Sequence, residues 1–543
     1  MNSKWSFQER SKKSVNRDPF EAEFFAGEEE DEEVYGRTDA LVREAIQNSL
    51  DAQGAGHEGP VRIRFKLSGV EEAVPDVDAA ALLDGLVPHL DVLGNEYVNK
   101  SSNVPPMPYL LIEDFGTRGL CGDPAWNGIT VPDDGQRYDF YWFWRNVGRS
   151  GKSGTDRGRW GLGKTVFPAA SRINTFFGLT VRCDDHKKLL MGQSITKLHE
   201  LEDKHFVPEG FYCDPGGSGD LQMPFDGDEV VAAFYEAFDL ERADNPGLSV
   251  VVPYPFERLS AKELLRSVVV HFFLPIVCGR LIVEVSGPDL EPEIITSETI
   301  EQVASELTWD GSPKEKKHAS PPFKLAEWAV KQQEQNAVVK LKNPQDNKAP
   351  MWGEHCFEPA VLDELRAAFD SGNRLAIRVP MTVQLKTDGG QQTYFDVFIE
   401  RDSDLVRSDD HFVREGMTIS KISTLAGVRG VRGLVIVEDK LLSALLGDAE
   451  GPAHTEWSTG ESRPDQTYVK WKSRISFVRN SIAKLLGLLA PPPEKLDEDW
   501  LQDIFSVSDP ETAGSKKKKM KRKRKNSSPP PPPPRETKAF HDA

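Results

Sequence analysis

The chain has 543 residues and a formal net charge of −19, with 38% hydrophobic and 28% charged residues, as in a soluble globular protein of roughly two to four domains. No apolar run reaches the roughly 18 residues of a membrane-spanning helix, and the N-terminus lacks the apolar core of a signal peptide. Five cysteines without a C-x-x-C pair argue against a zinc site or a disulfide framework, so we predict a cytoplasmic protein without membrane contact.

The first half of the chain predicts a domain of helices and strands that follows a polar arm. Residues 1–35 contain an acidic run and predict a flexible arm. A helix is predicted to begin near Thr38, because apolar residues follow it at helical spacing. Apolar segments predict strands at residues 61–67, 109–112, 175–181 and 248–252. We expect this first domain to span residues 36–255.

The predicted helix carries three polar side chains at a spacing that suits phosphate chemistry. Glu44 and Asn48 are four residues apart and Asp51 is three further, so all three project from one helical face. A carboxylate beside a carboxamide can orient a water molecule and complete the oxygen shell of Mg²⁺. The alternative for Glu44 is an ion pair at the protein surface.

Residues 158–165, Gly-Arg-Trp-Gly-Leu-Gly-Lys-Thr, fit two nucleotide-binding patterns at once. As G-x-x-x-x-G-K-[ST] they form a P-loop, and as G-x-x-G-x-G they form the glycine-rich lid of a different ATP-binding fold. A P-loop follows a buried strand, whereas residues 149–157 are polar and rich in glycine and serine. We therefore favour the lid.

The three motifs together resemble the GHKL ATPase superfamily, which includes gyrase-type topoisomerases, large heat-shock chaperones, histidine kinases, MutL and MORC proteins. Its N box is matched by residues 44–52 and its first glycine box by residues 114–119, at the end of a strand. Its second glycine box is matched by residues 158–163. The resemblance covers about residues 36–255 and implies an α+β fold: a Bergerat-type ATP-binding sandwich of a mixed sheet covered by helices.

The resemblance also implies roles for individual residues. Glu44 would be the general base that activates the attacking water, Asn48 the Mg²⁺ ligand, and Asp114 the acceptor of the adenine amino group. Glycines of the second box would present N–H groups to the phosphates, with Lys164 as an added phosphate contact. The residues expected to bind ATP and Mg²⁺ are Asn48, Asp51, Asp114, Gly116, Gly119, Gly158, Gly161, Leu162, Gly163, Lys164, Thr165 and Ser249.

Two of these positions depart from the family pattern. Gly119 stands one residue later than the second glycine of the usual D-x-G-x-G box. Ser249, on a late predicted strand, takes the place of the family's adenine-pocket threonine.

The remainder of the chain predicts a second domain and a C-terminal extension. Residues 256–450 predict a transducer-like α/β domain, with strands at 280–285, 374–385, 393–400 and 433–437 and a helix at 440–446. Residues 451–505 predict a helical segment with one amphipathic helix at 469–489. The tail, residues 506–543, is predicted to be disordered.

The charge of the tail suggests a partner. Residues 516–525 carry nine basic side chains in ten, which leaves −28 for the rest of the chain (−19 minus 9). Such a tail can contact DNA, and a purely solubilising role is an equal alternative. Six prolines at residues 529–534 predict an extended spacer or ligand.

Several kinds of GHKL protein are excluded by missing features. No histidine precedes His57, so a phosphoacceptor helix before the N box is absent, and no endonuclease or topoisomerase cleavage motif is evident. An ATP-gated homodimeric clamp in a DNA-linked process remains, with Arg414 or Lys421 reaching the γ-phosphate. Its N-terminal arm, with Trp5 and Phe7, is expected to cross to the partner protomer. A non-catalytic ATP-sensing scaffold and a chaperone-like ATPase are the alternatives, with protein partners unknown.

Overall fold

The structure of the protein is a computed structural model. It describes residues 4–490 except 12–17, 20–29, 55–56, 99–103, 131, 133, 147–162, 216–220, 308–320, 345–348, 406–407, 426–427 and 452–453. The predicted disordered tail, residues 506–543, lies outside the described residues. Within the described residues, no helix is both long enough and apolar enough to cross a membrane.

Two sheets organise the described part of the chain. The strands of the first sheet are β1 (Trp5–Glu9), β2 (Val61–Leu67), β3 (Tyr109–Phe115), β4 (Thr175–Val181), β5 (Lys188–Ile195), β6 (His199–Leu201), β7 (Lys204–Tyr212), β8 (Gly247–Pro253), β9 (Leu281–Gly287) and β10 (Leu290–Ile295). Their order is β1-β7-β5-β4-β8-β3-β2-β9-β10, and β6 pairs with β7. The sheet is mixed, because β2 and β9 are parallel whereas its other pairs are antiparallel.

Alternating side chains divide the first sheet into two apolar faces. On the α1 face, Leu110 and Ile112 of β3 and Val250 of β8 belong to the same core as α1 (Glu30–Asp51) and α7 (Ala261–Val277). On the opposite, α6 face, Leu111 and Val251 belong to a second core. The helices of this second core are α2 (Asp76–Leu82), α3 (Val87–Val92) and α6 (Asp228–Phe238).

Short helices and a turn complete the first half of the chain. They are α4 (Asp139–Trp144), a 3₁₀ turn (Gly163–Thr165), and α5 (Val166–Ala169). Helix α1 begins at Glu30, so the start predicted near Thr38 is wrong by about two turns. Thr38 lies inside the helix and is buried.

The N-terminal segment differs from the predicted arm. Strand β1 pairs with β7 of the same chain, with Trp5 opposite Tyr212. The Trp5 ring is buried, and its Nε1 donates to the carbonyl oxygen of Leu82 at 2.9 Å. Residues 5–9 therefore belong to the first sheet of their own chain, whereas a flexible arm was predicted.

The second sheet has the order β11-β12-β13-β16-β14-β15, with β17 paired to β12. Its strands are β11 (Val339–Lys340), β12 (Leu375–Leu385), β13 (Gly389–Arg401), β14 (Asp409–Arg414), β15 (Met417–Thr418), β16 (Val431–Val437) and β17 (Tyr468–Val469). Helices between and after the strands are α8 (Ile300–Glu306), α9 (Phe323–Glu334), α10 (Pro359–Asp370), α11 (Lys440–Asp448), α12 (Pro464–Thr467), α13 (Trp471–Arg479) and α14 (Ser481–Leu489).

A tight hairpin brings the second sheet against α7. Strands β14 and β15 are joined by Glu415 and Gly416, both with positive φ, as a two-residue hairpin turn requires. Gly416 contacts Pro275, which lies inside α7, and the nearby Phe272 has non-helical dihedral angles. Proline removes a hydrogen bond from a helix interior and kinks it, so the hairpin meets α7 beside its bend.

The predicted α+β class is confirmed, with a mixed sheet covered by helices followed by a second α/β region. Strands β9 and β10 follow residue 255, so the first sheet extends beyond the predicted domain boundary. The single helix predicted at residues 469–489 is instead two helices, α13 and α14, that meet at Asn480.

Candidate nucleotide site

Helix α1 places the N box on the α1 face of the first sheet, against the last glycine of the second box. Glu44 is buried and Asn48 half-buried. Gly163 packs so closely that a Cβ there would overlap Glu44 Oε2 and would lie 3.5 Å from Asn48 Nδ2. The structure therefore joins two motifs that are more than a hundred residues apart in sequence.

The second glycine box is only partly described. Gly158, Gly161 and Leu162 lie outside the described residues. Lys164 is buried in the 3₁₀ turn, and its Nζ donates to the carbonyl oxygen of Phe143 at 2.7 Å. Burial lowers the pKa of Lys164 to about 7, and the charge of Glu209 only partly offsets this shift. Thr165 is buried at the end of the same turn.

Asp114 lies one residue before the end of β3, on the α1 face, and its carboxylate accepts from neutral donors. Its Oδ1 accepts from Thr117 Oγ1 and from the backbone N–H of Leu248, both at 2.7 Å. Its Oδ2 accepts from Ser49 Oγ of α1 at 3.1 Å. A carboxylate offers about four acceptor positions, so one remains for a donor from a ligand.

The N box is tied to the first glycine box through the backbone. Arg118 Nη1 donates to the carbonyl oxygen of Asp51 at 2.8 Å. The N–H of Gly54 donates to the carbonyl oxygen of Gly116 at 3.1 Å. Gly116 has φ +78°, and a Cβ there would lie 2.5 Å from His57 Nε2.

Gly119 has a local packing reason to be glycine. Its φ is +70°, and a Cβ would overlap the carbonyl oxygen of Val181. This contact accounts for the residue type without a nucleotide, at the position that departs from the family pattern.

Ser249 lies on the other side of the sheet from Asp114. It pairs with Glu113 on β3, and its Oγ donates to Glu113 Oε1 at 2.9 Å on the α6 face. It also accepts from Arg242 Nε at 2.8 Å, so its hydroxyl belongs to a buried charged cluster.

Thr180, which was not predicted as a site residue, is a hydroxyl residue on the same face of the sheet as Asp114. On β4 it pairs with Leu248, whose N–H binds Asp114, and it shares the α1 face. Thr180 Oγ1 accepts from the N–H of Leu120 at 2.8 Å and donates to the carbonyl oxygen of Gly247 at 3.0 Å. Strand pairing places Thr180 two strands from Asp114, with Leu248 of β8 between them, and this pairing cannot be read from one segment alone.

The two predicted phosphate sensors are placed differently. Arg414 is buried, and its Nε and Nη2 donate to the two carboxylate oxygens of Glu450 at 2.6 and 2.8 Å. Burial by itself lowers the pKa of Arg414, but the charge of Glu450 outweighs burial and raises this pKa above its usual value. Lys421 is exposed, and its backbone N–H donates to the carbonyl oxygen of Thr455 at 2.8 Å.

His454, which was not predicted as a site residue, also lies at this site. Its ring lies beside Glu44, with Nε2 3.5 Å from Oε1. A glycine-proline loop gives no sequence signal for such a contact.

The donor set fits Mg²⁺. This ion takes oxygen ligands and is commonly bound by one or two protein side chains together with phosphates and water. Asn48 supplies a half-exposed carboxamide next to the Glu44 carboxylate. Across the described residues, no group of three or more histidine, cysteine or acidic side chains forms a metal site.

Three solved structures that are similar to this chain are ATPase regions of type II topoisomerases. The ATPase region of Saccharomyces cerevisiae topoisomerase II is 7% identical, with a TM-score of 0.31 over 84% of this chain and 86% of that chain. The same region bound to ICRF-187 (dexrazoxane) is 7% identical, with a TM-score of 0.30 over 83% and 86%. The ATPase and transducer domains of DNA topoisomerase II from Balamuthia mandrillaris are 8% identical, with a TM-score of 0.26 over 83% and 84%.

No protein-family model matches the chain, and no curated protein matches it. At TM-scores of 0.26 to 0.31, the structural similarity carries no argument about activity. The chain is similar to three ATPase regions of type II topoisomerases, and its sequence motifs resemble the wider GHKL superfamily.

Proposed function

We propose that this protein binds ATP with Mg²⁺ at the α1 face of the first sheet and hydrolyses it to ADP and phosphate. The observation that carries this proposal is the packing of Gly163 directly against Glu44 and Asn48. A glycine there lets backbone N–H groups approach phosphates next to a candidate base and a candidate metal ligand. Asp114, with one acceptor position left, lies at the end of β3 on the same face.

Each side chain then has a defined task. Glu44 accepts a proton from the water that attacks the γ-phosphate, and Asp114 accepts a hydrogen bond from the adenine amino group. Asn48 would hold Mg²⁺, which supplies positive charge to the phosphates. Of the two candidate sensors, we retain Lys421, because Arg414 is already paired with Glu450 whereas Lys421 is exposed beside the His454 loop.

The experiment that tests this proposal is the Glu44→Gln variant. Loss of a general base costs about 10²- to 10⁴-fold in rate, so turnover should fall by this factor while ATP still binds. Glu236→Gln changes an exposed glutamate on α6 and is the matched control. Wild-type protein that binds ATP without turnover would instead support the ATP-sensing scaffold.

We further propose that the protein is an ATP-gated homodimeric clamp in a DNA-linked cytoplasmic process. Its second sheet would transmit the state of the nucleotide, as supported by the contacts of the His454 loop and the β14–β15 hairpin with α1 and α7. Sedimentation of the full chain with a non-hydrolysable ATP analogue should show a larger mass than without it. DNA should stimulate ATP turnover of such a clamp, and salt should weaken this stimulation. A chaperone-like ATPase should show no stimulation by DNA.

A further inference from the structure

His454 lies between two buried carboxylates from different parts of the chain. Its Nδ1 is 2.7 Å from Glu450 Oε2, and its Nε2 is 3.5 Å from Glu44 Oε1. Glu450 follows α11 of the second region, and Glu44 belongs to α1. The imidazole is therefore one direct contact between the second region and the proposed base.

The backbone around His454 is arranged to make this contact. His454 has φ +51°, a left-handed conformation that is disfavoured for a residue with a side chain. Its N–H donates to the carbonyl oxygen of Gly451 at 3.0 Å, and its side chain is 4% exposed. A disfavoured backbone that aims a buried ring at a candidate site is a reason to look for function.

The far side of the ring is firmly anchored. Glu450 is fully buried and accepts two hydrogen bonds from Arg414 and one from Trp457 Nε1 at 2.9 Å. Burial raises the pKa of Glu450, but Arg414 and His454 outweigh burial and lower this pKa to about 2. The carboxylate is therefore ionised at neutral pH. The imidazole therefore has a fixed partner on one side and Glu44 on the other.

We propose that His454 is a positioning residue that holds the Glu44 carboxylate in its orientation for water activation, with a proton on each ring nitrogen so that Nδ1 donates to Glu450 and the Nε2 proton faces Glu44. This inference rests on the proposed role of Glu44 as the base. Because His454 is fixed to Glu450, which Arg414 also holds, the orientation of Glu44 depends on the placement of the second region. His454 thus couples the second region to the chemical step, whereas the predicted coupling ran through a basic residue at the γ-phosphate.

A purely structural histidine would serve only the Glu450–Arg414 cluster, and two substitutions separate these roles. In His454→Asn the amide stands near the position of Nδ1, so it can still bind Glu450 but cannot reach Glu44. In His454→Gln the amide stands near the position of Nε2, so it can still contact Glu44. If His454 positions Glu44, His454→Gln should have the higher ATP turnover. If His454 serves only the Glu450–Arg414 cluster, His454→Asn should be the better tolerated variant.

The experiment measures ATP turnover of both variants of the full chain, with unfolding followed in urea. For His454→Asn we expect kcat to fall about 10- to 100-fold with little change in KM, as for loss of a contact to a charged group. His454→Gln should retain most of the kcat. The control is His411→Asn, which removes the contact between another histidine Nε2 and a carboxylate in the second sheet, that of Asp409, and should leave turnover unchanged.

The outcomes distinguish this inference from the proposed function. If wild-type protein has no turnover, or Glu44→Gln retains it, the proposed function fails first. If Glu44→Gln is inactive but His454→Asn is as active as His454→Gln, the positioning role is overturned. If both variants at residue 454 fail to fold, ¹⁵N spectra of histidine-labelled protein decide. The Nε2 signal of His454 should then move between wild type and Glu44→Gln, and an unmoved signal would overturn the inference.

Discussion

Glu113 and Asp114 are neighbours on β3, yet they lie on opposite faces of the first sheet and are held by different donors. On the α6 face, Glu113 is fully buried and pairs with Arg64, whose Nη1 lies 3.1 Å from Oε2. On the α1 face, Asp114 accepts from two hydroxyls and one backbone N–H. Arg242 Nη2 comes only to 3.9 Å from its Oδ1.

The difference shows how a fold separates a structural acid from a binding acid. The charge of Glu113 is compensated by a fixed cation, so its position serves the stability of the sheet. The charge of Asp114 is stabilised by hydrogen bonds that leave an acceptor position open. Mutations on the α6 face should therefore change stability, and mutations on the α1 face should change nucleotide affinity.

The largest expected effect is that of Glu113→Gln on stability. Removing one partner of a buried ion pair costs about 3–5 kcal/mol. We expect the lower end, about 3 kcal/mol, because Arg64 keeps Glu241 and Glu284 within ion-pair distance. Urea unfolding measures the loss, and isothermal titration should find the ATP affinity of the folded protein unchanged. A loss of ATP affinity without a loss of stability would reverse the assignment of the two faces.

Much of the fold could be predicted because its signals are local. The alternation of β2 and the continuous apolar segments of β4 and β12 lie within single elements, and the predicted strands match them to within one or two residues. The spacing of Glu44, Asn48 and Asp51 is likewise a property of one helix. These features need no knowledge of distant contacts.

The features that the sequence did not predict depend on the pairing of distant segments. Strand β1 is five residues long, and only its partner β7, about two hundred residues away, makes it a strand. The contrast between Ser249 and Thr180 depends on which face of the sheet each side chain occupies, and one residue of register reverses this. His454 and Glu44 meet across about four hundred residues, through a loop whose sequence predicts no structure.

The second prediction concerns Asp114→Asn. Hydrogen bonds to charged groups contribute about 1.5–3 kcal/mol, so ATP affinity should fall about 10- to 100-fold. The preference for ATP over GTP should fall with it, because the acceptor for the adenine amino group is changed. Titration calorimetry with both nucleotides measures this effect, and Asp228→Asn, an exposed aspartate on α6, is the control. If the affinity for ATP is unchanged, the adenine ring does not bind at Asp114.

The smallest expected effects are those of substitutions at Thr180 and Ser249, which lie on opposite faces of the sheet. Thr180→Val removes the partner of the Leu120 N–H and of the Gly247 carbonyl oxygen, and Gly247 precedes Leu248, whose N–H binds Asp114. An unsatisfied buried group costs about 1 kcal/mol or more, so we expect the ATP affinity to fall about fivefold. Thr180→Ser keeps the hydroxyl, so its ATP affinity should equal that of the wild type.

Ser249→Ala removes hydrogen bonds to Glu113 and Arg242 on the α6 face, so it should lower stability by about 1 kcal/mol without changing ATP affinity. Urea unfolding and nucleotide titration on the same samples separate the two effects. If Ser249→Ala weakened ATP binding more than Thr180→Val, the nucleotide would depend on the α6 face. The division of β3 into a structural and a binding face would then be wrong, because a charged cluster beneath the sheet would control the site above it.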